Sequence, residues 1–119
     1  MHTLSTNDVY QLAKFLANNT GISINDKYEK PTDGYMVSVV GGPTYQSSDP
    51  APIKEIMAFI QSNAVKESYF GTWKDSETGK VYIDISANFE DKDIALELAG
   101  IWNEIAIWDV KNNCEIRLN

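Results

Sequence analysis

Val9, Leu12, Ala13 and Leu16 recur at three- and four-residue spacing behind Ser5-Thr6-Asn7-Asp8, a cap followed by an acidic first turn. The pattern predicts a first helix, with Tyr10 and Phe15 flanking its apolar stripe, that stops at Asn18, Asn19 and Gly21. Ile22 and Ile24 then open a short strand running toward Tyr28. After the turn Pro31-Thr32-Asp33-Gly34, Tyr35 to Val40 is the most strand-like run of the first half. Gly41-Gly42-Pro43 is expected to break that strand, and residues 44–52 read as a loop. Asp49 or Pro50 is expected to start a second helix, where proline in the first turn costs nothing. Its buried stripe is Ile53, Ile56, Met57 and Ile60, and it ends near Asn63.

The periodicity changes in the second half. Val81, Ile83 and Ile85 alternate with Tyr82, Asp84 and Ser86, the two-residue period of a half-buried strand. Tyr69 to Lys74 is aromatic and β-prone, and Asp75 to Gly79 is turn chemistry, so the two runs predict a hairpin with Gly79 at positive φ. Thr78-Gly79-Lys80 also has the look of a phosphate-binding loop. That reading fails, because Lys74 stands where the first glycine belongs and Val81 where a Mg²⁺-binding hydroxyl is needed. A third helix is predicted after Asn88 to Asp93, with Ile94, Ala95, Leu98, Ile101 and Trp102 on its inward face. Ile105 to Val110 and Cys114 to Leu118 form a closing hairpin around Lys111-Asn112-Asn113, with Cys114, Ile116 and Leu118 pointing inward.

The order is helix, strand, strand, three times over, without sequence identity between the units. It predicts a single α+β domain over residues 1–119, with about three helices packed on one face of a mostly antiparallel sheet built from hairpins. Phe89, Trp102 and Trp73 are expected in its core. No run approaches the roughly twenty apolar residues of a membrane span. The N-terminus lacks the pattern of a signal peptide. With one cysteine, Cys114, the chain reads as a protein of a reducing cytoplasm.

Charge adds a partner class. The net charge is −7, and residues 67–119 carry eleven acids against five bases, whereas residues 1–66 carry six against five. An acidic second half repels phosphate backbones, so direct nucleic-acid binding is not expected. It speeds association with a protein that presents a basic surface. The same acidity also serves solubility alone.

Several chemistries are missing from the chain. His2 is the only histidine, at a terminus expected to fray, so nucleophile systems that need a histidine base are excluded. One histidine and one cysteine cannot make a zinc site. No G-x-G-x-x-G follows a strand, and no cofactor is expected. Asp84, Glu90, Asp91, Asp93 and Glu97 gather around a strand, a loop and the start of the third helix. An oxygen-only Mg²⁺ or Ca²⁺ site could be assembled there, but the favoured explanation is that Asp91 or Asp93 caps the helix and the other acids favour its positive end. Tyr82 on a polar strand face and Tyr45 in the loop are candidate interface anchors. With Asp84, Glu90 and Glu97 they make up the expected partner-binding set.

The run G-T-W-K-D-S-E-T-G-K-V-Y-I-D-I-S, then A-N-F-E-D-K-D-I-A-L-E-L-A and I-A-I-W-D-V, resembles small uncharacterised proteins of bacteriophages and mobile elements. The resemblance spans about Phe70 to Ile116. Its residues are mostly of turn and core type, so it carries a fold rather than a site, and it implies no enzymatic activity. By analogy it implies binding and disabling a host defence protein, as anti-CRISPR or antirestriction proteins do. An immunity protein against a basic toxin and a small carboxylate- or metal-dependent enzyme are the alternatives.

Overall fold

Ser5 accepts a hydrogen bond from the Asp8 amide at 3.1 Å and so caps the first helix, α1 (Thr6–Asn18). The computed structural model describes residues 4–65 and 67–118; His2 lies outside the described residues. Two strands follow, β1 (Ile22–Ile24) and β2 (Tyr35–Gln46), then α2 (Ile53–Asn63). The next pair is β3 (Tyr69–Lys74) and β4 (Lys80–Phe89), followed by α3 (Lys92–Ile101), β5 (Ala106–Asp109) and β6 (Cys114–Arg117). The threefold helix–strand–strand order is as the hydrophobic pattern predicts.

The six strands form one antiparallel sheet in the order β1-β3-β4-β2-β5-β6. The second and third strand pairs are hairpins. The first is not: β1 pairs with β3, and β2 pairs with β4 and β5. The β3–β4 hairpin is thus inserted between two strands that are neighbours in sequence.

Three element boundaries differ from expectation for local reasons. Gly41-Gly42-Pro43 does not end β2, because irregularities between Ser38 and Val40 and between Gly41 and Thr44 absorb these residues while pairing with β4 resumes at Thr44. Proline and glycine are tolerated at such bulges, where a ladder hydrogen bond is already missing. Gly42 is needed there: a Cβ would stand 2.7 Å from the Phe59 ring of α2. Residues 44–46 are therefore strand, not loop. The second helix starts at Ile53 rather than at Asp49 or Pro50, because Asp49 N–H is turned back to the Gln46 carbonyl at 3.0 Å.

All three helices cover one sheet face. Val9, Leu12, Ala13 and Leu16 of α1 and Ile56 and Ile60 of α2 pack with Ile24, Phe70, Ile83 and Ile85. Val37 stands opposite Ala87, two residues along from Ile85, so it shares their face; it packs with Ala95 and Ala99 of α3 and Ile107. This places α3 inward through alanines, which let a helix approach a sheet closely. The expected inward stripe is corrected accordingly. Ala95 is buried, but Ile94 is exposed, Ile101 is 65% exposed, and Trp102, the C-cap residue, is 36% exposed. Phe89, Ile116 and Leu118 pack against this cluster, while Cys114, beside the hairpin turn, is exposed. No helix among the described residues is long and apolar enough to cross a membrane.

Candidate functional site: a groove on the helix-free sheet face

Strand alternation sends every second residue to the face that the helices leave open. Across it the register sets Gly71 opposite Asp84, Trp73 opposite Tyr82, Ser38 opposite Ser86 and Met36 opposite Trp108. These four strands, with β1, Lys30-Pro31 and the β5–β6 turn, line a groove of about 530 Å³, within the size range of small-ligand and peptide sites. Trp73 and Trp108 stand at its two ends, three strand spacings or roughly 14 Å apart across the sheet and, because Trp73 pairs with Tyr82 and Trp108 lies level with Asn88, roughly 20 Å apart along it. Both are unusually exposed for tryptophan, at 52% and 43%. Trp73 is therefore not a core residue. Phe70 and Thr72 take the inward positions of β3, and Trp73 follows them onto the open face.

Asp84 occupies the middle of the groove. Its carboxyl is pushed up from the usual range by burial, an effect that hydrogen bonds from the Ser38 and Ser86 hydroxyls only partly oppose. Burial also raises Glu104, just before β5, and the nearby Asp84 charge raises it further. No lysine or arginine among the described residues pairs with Asp84. Lys30 lines the groove without bridging to it, Lys80 lies over the Tyr82 ring at 5.5 Å, and Arg117 is paired with Glu115 at 3.0 Å. The groove therefore holds one carboxyl, Asp84, with no ion-pair partner among the described residues, while Glu104 lines a separate cleft with α3 and β6 residues.

The aromatic wall is ordered. Tyr82 stacks on Trp73 with ring centroids 4.7 Å apart and planes 10° from parallel, a geometry that favours aromatic pairs. Tyr82 thereby covers one face of the indole, and Trp73 itself lines the groove.

The structure divides the five expected partner-binding residues. Asp84 lines the groove, and Tyr82 shares its sheet face, stacked on Trp73. Tyr45 does not: it pairs with Val81 in the ladder, packs against the core on the helix side, and lines a separate cleft between α1 and the chain leading into α2. Glu90 and Glu97 are exposed around α3, on the covered side of the sheet. Asp91 is the α3 cap, accepting from the Asp93 and Ile94 amides. The expected acidic cluster is therefore split by the sheet itself. Among the described residues no three histidine, cysteine or acidic side chains could together hold a metal ion. Residues that sequence reasoning passed over are Gly71, Ser38, Met36, Trp108 and Glu104. Pairing register across β3, β4, β2 and β5 assembles the first four; Glu104 precedes β5 and lies outside the groove.

No protein-family model, curated protein or solved structure matches the chain.

Proposed function

We propose that the chain acts by binding another protein, without catalysis of its own, and that the helix-free sheet face is where it docks. One observation carries this reading: an open groove holds an uncompensated carboxyl, Asp84, between two exposed tryptophans. Exposed tryptophans beside a desolvated charge are the residue types that dominate interface energies. A buried carboxyl without a cation is a cost to the isolated fold, and a partner that brings the cation relieves it. The chain's excess of negative charge favours the same basic partner over longer range. With the resemblance to phage and mobile-element proteins, the partner class that fits best is a host defence protein with a basic surface, disabled by occupation. A nuclease whose own groove must be basic to hold nucleic acid is of that kind.

The test is selection from a random peptide display library, using the wild-type protein and the double variant Trp73→Ser/Trp108→Ser in parallel. Enrichment of lysine- and arginine-rich peptides by wild type alone supports docking at the groove. Enrichment of neutral or acidic peptides, or equal enrichment by both proteins, overturns it.

A further inference from the structure

The groove is more selective than a general basic patch requires. Asp84 stands opposite Gly71, so Trp73, two residues further along β3, is its diagonal neighbour on the same face. Diagonal neighbours lie roughly 7–8 Å apart, within reach of one long side chain. Gly71 has no Cβ between them, leaving the strand backbone low at that point. Tyr82 covers one face of the Trp73 indole, and Trp73 itself lines the groove. A ligand group that fills this corner must therefore be cationic toward Asp84 and flat toward Trp73.

We propose that the groove takes an arginine side chain of the partner, its guanidinium paired with the Asp84 carboxylate and lying against the free face of Trp73. The assignment rests on the docking reading above and narrows it to one residue type. Guanidinium is planar, less strongly hydrated than ammonium, and donates two parallel hydrogen bonds to a carboxylate. It also stacks on indole, whereas lysine offers a point charge that is costlier to strip of water. The Ser38 and Ser86 hydroxyls hold the carboxylate from within the sheet. Such support keeps an acceptor fixed before its ligand arrives. Glu104 lies outside the groove, yet its carboxyl feels the Asp84 charge, so it adds to the negative field around Asp84.

The experiment titrates the full chain with the blocked tripeptide acetyl-Gly-Arg-Gly-amide, followed by tryptophan fluorescence and by amide and indole NMR shifts. The lysine and citrulline tripeptides serve as comparisons. Citrulline keeps the shape of arginine and loses the charge. Saturable binding at roughly millimolar arginine peptide is expected, with citrulline at least about tenfold weaker and lysine about threefold weaker or more. Asp84→Asn should weaken the arginine peptide about tenfold, with its fold checked by melting and NMR dispersion. Absence of saturation below about 50 mM, equal binding of citrulline, or lysine binding as tightly as arginine overturns the assignment. If it fails while peptide selection still depends on Trp73 and Trp108, arginine is wrong and docking at the groove stands. If both fail, the groove is not the interface.

Discussion

A Cβ on Gly71 would stand 2.5 Å from Asp84 Oδ1, so the bare glycine is what allows the carboxylate to lie across β3. The atom in the way is the end of a side chain, and it can swing aside. Gly71→Ala should therefore leave the fold intact. Losing the serine hydrogen bonds costs about 1 kcal/mol, and replacing glycine within a strand returns roughly 0.5–1 kcal/mol. The melting temperature should thus shift little while binding of a basic peptide is lost. A variant that melts like wild type and binds like wild type would show that the position of the Asp84 carboxylate is irrelevant to binding.

The cost of the buried carboxyl has a definite pH signature. The folded pKa of Asp84 lies above its ordinary 3.8 because burial disfavours the charge. The native state then holds the proton more tightly than the unfolded chain, so stability falls as pH rises from 3.8 through the folded value. Above that value the full penalty remains. Asp84→Asn removes it, and also relieves Glu104, whose carboxyl is raised first by its own burial and then by Asp84. The variant should melt a few degrees higher than wild type at neutral pH, with the gap narrowing as pH is lowered through the carboxylate range. A gap that is constant across pH 3 to 7, or reversed at neutral pH, would contradict the origin assigned to the penalty.

Packing under α2 is tested at Gly42. An added methyl would meet the Phe59 ring at 2.7 Å, and an aromatic ring yields less easily than a carboxylate. Gly42→Ala should destabilise by about 1–3 kcal/mol. Phe59→Leu in the same chain should recover part of that loss, and chemical denaturation of the four proteins in the cycle measures the coupling. Strict additivity would show that the two residues do not press on each other.

What was legible in the sequence is what short-range physics controls. The Ser5 cap, the Val9–Leu16 stripe and the β3–β4 hairpin with Gly79 at φ +74° all depend on neighbours within a few residues. The course of β2 through Gly41-Gly42-Pro43 was not legible, because the pairing that holds it comes from β4, some forty residues away. Trp102 misled for a different reason. Hydrophobicity marks Ile94, Ile101 and Trp102 as the buried face of α3, yet close approach to the sheet selects the small Ala95 and Ala99. Trp102→Ala should accordingly cost nearer 1 kcal/mol than the roughly 3–5 kcal/mol of a core tryptophan. In the site, Asp84 and Tyr82 could be placed on a polar strand face by alternation alone. Gly71, Trp73 and Trp108 could not join them without the register of three strand pairs.

The split of the acidic residues by the sheet leads to a kinetic prediction. Asp84 stands in the groove, whereas Glu90 and Glu97 are exposed around α3 on the far side. Sheet-to-layer distances are near 10 Å, and the screening length at physiological salt is about 8 Å. The α3 carboxylates can therefore steer an approaching basic partner but cannot touch it in the complex. Glu90→Lys/Glu97→Lys should slow association with a selected basic peptide at low salt, lose most of that effect at 0.15 M salt, and leave dissociation unchanged. Trp73→Ser should do the reverse, speeding dissociation at every salt concentration while association stays nearly constant, because contact area is lost and charge is not. Surface plasmon resonance at two ionic strengths separates the two. Faster dissociation from the Glu90→Lys/Glu97→Lys protein would place the partner on the helix side of the sheet instead of in the groove.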